Sequence, residues 1–206
     1  MHVVSFLLFP LVRVALRWRV RALFAALKQE SDVADSVIEA ARAGDPDAFR
    51  TIIDHYDYRL RALAYRLLES RDLMDDCLQE AYVKAFRSLP KFKGQASLGT
   101  WLYRIVYNAC IDELRRKRPN VSLDDVAEVA QGGGGASAID QAIAGSDLAS
   151  AMAKIPPDQR AAVLLVDAYG WSYKEAGKIL KVPSGTVASR VNRARSALRA
   201  HLEVSA

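Results

Sequence analysis

Between Pro119 and Asp147 the chain carries five acidic residues and no base, and it places four consecutive glycines, Gly132 to Gly135, near the middle. Each glycine loses more backbone freedom on ordering than any other residue and brings no side chain to bury. Asp124, Asp125, Glu128 and Asp140 add charge without a repeating apolar stripe. Residues 119–147 therefore read as a flexible acidic linker whose two ends can still fold as short helical turns. That stretch divides the 206-residue chain into a basic, apolar N-terminal extension at 1–30 with a first module at 31–118, and a second module at 148–206.

Both modules read as helical. Ser31 is an N-cap candidate ahead of Val33, Val37, Ile38 and Ala41, with Gly44 as the stop. Asp45-Pro46 restarts a helix by its cap and first-position proline, and the stripe Phe49, Ile52, Ile53, Tyr56, Leu60, Leu63, Ala64 and Leu67 carries it to about Leu68. After the break at Ser70-Arg71-Asp72, a helix from about Leu73 to Leu89 buries Leu78, Ala81, Tyr82, Ala85 and Phe86, and Pro90 ends it. The next helix starts at Thr100. Its spacing turns Trp101, Leu102, Ile105, Val106 and Ala109 inward and leaves Arg104, Tyr107, Asn108, Asp112 and Arg115 more outward. In the second module a helix from Asp147 to about Ile155 precedes Pro156-Pro157, and a buried helix from Asp158 to Tyr169 stops at Gly170. Ser172 and Glu175 have the spacing of a capping box. Lys181-Val182-Pro183 is a tight turn, and Ser184 is expected to cap a final helix with Val187, Val191, Ala194 and Leu198 on one face. No strand alternation persists. The expected class is all-α, with two small helical domains on a flexible tether.

The net charge of +5 is unevenly spread. Residues 1–29 hold five bases and no acid, 30–118 hold fifteen of each sign, and 148–206 hold nine bases against four acids. A basic C-terminal block is the electrostatic footprint of a DNA-binding domain. Cys77 and Cys110 are too few for a disulfide framework, and with the scattered His2, His55 and His201 they show no metal spacing. No metal, cofactor or small-molecule substrate is expected. No phosphate loop and no His-Glu-x-x-His are present, so an enzyme is not expected. In the extension the apolar run Val3 to Val12 precedes the arginines, the reverse of a signal peptide, and it is short for a membrane span. An over-extended leader and a basic helix lying on a membrane are the two readings of it.

Two constellations carry the chemistry. The segment from Ser172 onward has the layout of a helix-turn-helix, in which Thr186, Ser189, Arg190 and Arg193 project from the first turns of the second helix toward a major groove. Lys181, Ser184 and Arg195 are placed for phosphates. The other constellation is Asp75 to Arg118. Asp76, Gln79, Glu80 and Lys84 share a charged helix face, which is either solvated or a docking surface. The basic loop and helix that follow bring Lys91, Lys93, Tyr103, Arg104, Tyr107 and Asn108 together, the cation-plus-aromatic mixture of single-strand binders. Trp101 reads equally as core or as a stacking surface.

These residues resemble a known family. Asp76-Cys77-Leu78-Gln79-Glu80-Ala81-Tyr82, Gly99-Thr100-Trp101-Leu102-Tyr103-Arg104-Ile105 and Asn108 to Arg116 resemble domain two of bacterial sigma factors of the sigma-70 family, more narrowly the extracytoplasmic-function (ECF) group. Ile155 to Arg160 and Val182 to Arg190 resemble domain four. The resemblance implies that Asp76, Gln79, Glu80 and Lys84 dock RNA polymerase core at the clamp helices of its largest subunit, with domain four at the flap region. It implies that Lys93, Gly94, Gln95, Ala96 and Ser97 capture a flipped base of the −10 element, with Tyr103, Arg104, Asn108, Asp112, Arg115 and Arg116 beside it. It assigns Lys181, Ser184, Thr186, Ser189, Arg190, Arg193 and Arg195 to the −35 element, and the acidic linker to the basic channel of polymerase. Promoter DNA, duplex and single-stranded, would be the ligand, and an anti-sigma factor the restraining partner. The expected location is the bacterial cytoplasm, with membrane contact only through that partner or the extension. The alternative is a helix-turn-helix regulator that binds duplex DNA without polymerase.

Overall fold

The computed structural model describes residues 33–117 and 147–204. The extension at 1–30, Ser31 and the linker from 119 to 146 lie outside these. Among the described residues every element is helical. The first half contains α1 (Asp35–Arg42), α2 (Pro46–Leu68), α3 (Arg71–Ser88), a 3-10 turn at Leu89–Lys91 and α4 (Leu98–Lys117). The second contains α5 (Asp147–Ala153), α6 (Pro157–Val163) running into a widened π turn at Leu164–Ala168, α7 (Tyr173–Leu180) and α8 (Ser184–Val204).

Capping chemistry sets most of the boundaries. Asp45 accepts from the backbone N–H of Asp47 and Ala48 at 2.8 and 3.2 Å, and Pro46 fills the first helical position of α2, as the spacing predicts. Gly44 follows α1 with φ of +100°, open to glycine at no steric cost. Ala34, which has no capping side chain, stands at the start of α1, so the helix begins later than a Ser31 cap would place it. At the end of α2, Glu69 takes the left-handed conformation usually left to glycine. The next helix starts at Arg71, two residues before the expected Leu73, because Ser70 occupies the cap position. Ser97 starts α4 two residues early in the same way, with its Oγ accepting from the Thr100 N–H at 3.1 Å. The capping box at Ser172 and Glu175 forms in both directions. Ser184 is the first residue of α8 rather than its cap, since the Pro183 carbonyl accepts from Thr186 and Val187. At the turn before it, Gly177 is required: a Cβ there would lie 2.7 Å from the Val182 carbonyl oxygen.

The two halves are docked against each other. α2, α3 and α4 form a three-helix core around Ile52, Leu60, Leu63, Leu78 and Leu102. α8 closes over α6 and α7 through Val187 and Val191, with a smaller cluster of Ile155, Val163 and Ala194 beside α5. The main apolar cluster then continues across the seam, where α4 packs on α7 and α2 on α6. Tyr103 of α4 sits at its centre, 1% exposed, edge-on to Trp171 at 5.3 Å and to Tyr169 at 6.0 Å. Edge-to-face contacts of this kind stabilise by about 0.5–1.5 kcal/mol each beyond area burial. Both rings follow the π turn. At its end the Tyr169 N–H donates to the Leu164 carbonyl, five residues back, and the Trp171 N–H to the Leu165 carbonyl.

Candidate nucleic-acid and partner interfaces

The face of α3 opens into a groove of about 790 Å3. Asp76, Gln79, Glu80 and Lys84 line one side of it with Val83 and Arg87, while Glu113 and Arg116 of α4 line the other. All four sequence-selected residues are exposed and lie within three turns of one helix, so they form one surface. Val83, 45% exposed among them, adds an apolar centre that the charged spacing did not single out. The groove thus has a charged rim of both signs around one exposed apolar side chain. Tyr82, expected in the core, is only half-buried, and its hydroxyl donates to Asp57 at 2.7 Å. Asp57 also accepts from Arg61, which bridges on to Asp75 at 2.5 Å, and these bonds hold α2 and α3 in register beneath the groove.

The second surface is the loop before α4 together with the outer turns of that helix. Lys93, Gly94 and Gln95 are exposed, Gly94 with φ of +67°, and Ala96 is half-buried. Ser97 is exposed yet engaged, its Oγ sharing a hydrogen bond with the Thr100 hydroxyl at 2.9 Å as well as capping α4. Further along, Arg104 and Asn108 are partly exposed, and Asp112, Arg115 and Arg116 are exposed, with Arg115 near Asp112 at 3.7 Å and Arg116 on Glu113 at 3.0 Å. Tyr103 and Tyr107 are buried instead. Tyr107 was expected on the outer side of α4, but it is 6% exposed, with Arg190 of α8 and Asp158 of α6 close by. Burial pushes its phenol up to about 12, with smaller opposing influences from Arg190 and Asp158. Trp101 packs on Phe92 at 5.2 Å and is 8% exposed, a core residue in this arrangement. α7 also reaches the loop itself, where Lys178 Nζ donates to the Gln95 carbonyl at 3.5 Å.

The third surface is α8 and the turn ahead of it. Lys181 is exposed and left-handed at φ of +56°, and Ser184, Ser189 and Arg193 are exposed on the first turns of α8, with Thr186 partly so. Arg193 Nη2 lies 3.5 Å from Ser189 Oγ, which itself donates to the Thr186 carbonyl. Arg190 and Arg195 stand apart from this group. Arg190 Nε lies 2.8 Å from an oxygen of Asp158, which is itself only 2% exposed. Arg195 makes a paired contact with Asp167 at 2.6 and 2.8 Å. Both guanidinium groups therefore fasten α8 to the α6 segment. Asn192, one position before Arg193, is exposed on the same face and was missed because only basic and hydroxyl residues were singled out. The 3.6-residue repeat from Ser189 was the signal that could have found it.

A charged helix face, a basic loop-and-helix and a helix-turn-helix thus follow one another along the chain. Residues 52–119 match the pattern of Sigma-70 region 2, and residues 146–198 match Sigma-70, region 4. The ECF RNA polymerase sigma factor SigM of Mycobacterium tuberculosis is 36% identical over 177 residues, 85% of this chain and 86% of that protein. The chain belongs to the ECF sigma factors. SigW of Bacillus subtilis, of the same group, is 34% identical over 80% of this chain and 94% of its own length. Among solved structures, the sigma factor RpoE in complex with the anti-sigma factor NepR from Bartonella quintana covers 77% of this chain and 98% of its own, at 27% identity and a TM-score of 0.59. The family's region 2 spans the groove and the α4 surface, and its region 4 spans the helix-turn-helix. Among the described residues of this ECF sigma factor, no helix is long and apolar enough to cross a membrane.

Proposed function

We propose that this ECF sigma factor binds core RNA polymerase and directs initiation at promoters with cognate −35 and −10 elements, as a binding factor without catalysis of its own. The observation that carries this reading is the order of the two matched regions, each with an exposed surface of the required chemistry. Asp76, Gln79, Glu80 and Lys84 dock the clamp helices of the largest subunit, and domain four meets the flap region. The working modules are 31–118 and 148–206, with 119–147 as the acidic tether between them and 1–30 as an added extension.

At the −35 element, Thr186, Ser189 and Arg193 face the major groove, and Lys181 and Ser184 meet phosphates. Arg190 and Arg195 join them by exchanging Asp158 and Asp167 for DNA. At the −10 element, residues Lys93 to Ser97 receive an unstacked base, flanked by Arg104, Asn108, Asp112, Arg115 and Arg116. Binding of that base offsets the unpairing of the duplex, which costs a few kcal/mol. Because Tyr103 is buried against Tyr169 and Trp171 and Tyr107 is buried as well, promoter opening requires the seam between the halves to separate. The docked form is then the resting state, and an anti-sigma partner, of the kind bound to RpoE in its complex with NepR, acts by holding it. The factor works in the cytoplasm, where polymerase and promoters are.

The test is reconstitution. Tagged protein should retain core subunits on purification and support run-off transcription from promoters that core alone ignores. A protein that recovers no core and starts no transcript would sink this reading.

A further inference from the structure

Cys77 of α3 and Cys110 of α4 face each other where the two helices cross, and both are free. The Cys77 thiol donates to the Ala109 carbonyl at 3.7 Å, one residue from Cys110, and the two sulfurs share a hydrogen bond. Their surroundings differ. Cys77 lies on the floor of the groove with Asp76, Glu80, Glu113 and Arg116, while Cys110 is fully enclosed. The bond from Cys110 draws the Cys77 thiol below its ordinary value of 9.0, against burial and the nearby Glu113 and Glu80. The same bond, with burial, pushes the Cys110 thiol well up. A thiol that lines the groove, beside an enclosed partner, is the layout of an attacking sulfur with a resolving one.

We propose that Cys77 and Cys110 form a thiol pair oxidised by hydroperoxides, whose disulfide closes the floor of the α3 groove and weakens docking of core polymerase. The docking half of this inference rests on the function proposed above. In the first step the Cys77 thiolate attacks a peroxide oxygen: an S–O bond forms, the O–O bond breaks, and hydroxide leaves to become water after taking a proton. In the second, Cys110 gives up its proton and attacks the Cys77 sulfur: the S–S bond forms, the S–O bond breaks, and a second water leaves. Two thiols and one hydrogen peroxide thus become one disulfide and two waters. A disulfide holds its two Cα atoms about 4.4–6.8 Å apart and fixes both side-chain torsions. The turn of α3 that carries Asp76, Gln79 and Glu80 would then be tied to α4, and the groove between Glu80 and Glu113 would be narrowed.

The experiment treats the reduced full-length protein with hydrogen peroxide, maps its peptides by mass spectrometry, and measures affinity for core RNA polymerase before oxidation, after it, and after dithiothreitol. The expected result is a linked Cys77–Cys110 peptide and a roughly tenfold loss of affinity that dithiothreitol restores. Cys110→Ala should stop at a sulfenic acid on Cys77, captured by dimedone, and keep its affinity. If that variant fails to fold, the linked peptide in the unaltered protein still decides the chemistry. Absence of the linked peptide, or a linked protein that binds core as well as the reduced one, overturns the proposal. Reduced protein that does not bind core at all overturns the polymerase reading and the docking half with it, and the peptide map then judges the thiol pair by itself.

Discussion

Arg160 of α6 is paired with Glu69, the left-handed residue that ends α2, across the seam between the two halves. The same guanidinium donates to the Arg66 carbonyl at 2.9 Å and to the Ala153 and Ile155 carbonyls at 2.7 and 3.1 Å. One cation thus satisfies the open C-terminal ends of α2 and of the α5 segment, where carbonyls lack helical partners and the helix dipole favours positive charge. For both partners burial outweighs their attraction, lowering the Arg160 pKa and raising that of Glu69. The pair therefore specifies how the halves dock more than it stabilises them.

Arg160→Ala leaves Glu69 without its cation and several carbonyls without a donor. We expect a loss of about 3–5 kcal/mol, the usual result of breaking a buried pair from one side. Urea unfolding measures it. The double variant Arg160→Met with Glu69→Gln should recover part of that loss.

Glu69 also gives the protein a pH dependence with a definite sign. Its pKa in the folded state lies above the ordinary 4.5, so between those values the folded chain binds more protons than the unfolded one. Its contribution to stability is fully present below 4.5 and is lost as pH rises through the folded value. Glu69→Gln should remove that part of the slope in unfolding curves taken across mildly acidic pH. An unchanged slope would show that Glu69 does not titrate there.

Trp171→Ala takes the edge contact from Tyr103 and loosens α7 from α4. Folding stability should fall, while a single-stranded −10 oligonucleotide should bind more tightly, by about 1 kcal/mol or roughly fivefold, because less energy is needed to uncover α4. Fluorescence anisotropy reads the affinity. Weaker binding would mean that Trp171 itself contributes to DNA contact.

Arg190→Ala separates the observed contact with Asp158 from the proposed one with the −35 element. Without DNA it removes the guanidinium from the buried Asp158, so the variant should lose about 1–3 kcal/mol of stability, and Asp158→Asn in the same chain should restore part of it. If stability is unchanged and only −35 binding falls, the Asp158 contact carries no weight.

Gly177→Ala places a methyl against the Val182 carbonyl, which belongs to backbone and cannot rotate away. The turn between α7 and α8 must shift, at a cost of about 1–3 kcal/mol, with a lower melting temperature and weaker duplex binding. Lys181→Gly, one turn on, should raise the melting temperature by relieving a left-handed lysine, while losing one cation for DNA.

Local chemistry made the helices legible. Asp45-Pro46, the Ser172–Glu175 box and the Val187, Val191, Ala194 stripe act within a few residues of themselves, so their patterns survive translation from sequence to structure. The exposed face at Asp76 to Lys84 was legible for the same reason: on one helix, spacing decides which residues share a side. What the residues alone determined is therefore the all-helical class and the family. Only the tertiary structure decided which faces of those helices remain free. Tyr107 is outward by its own helix and buried in the folded chain, Arg190 and Arg195 are cations for DNA by sequence and ion-pair partners of Asp158 and Asp167 by position, and Trp101 lies against Phe92. Each of these outcomes depends on a residue more than eight positions away, brought near by the packing of one helix on another, and no local repeat encodes that contact.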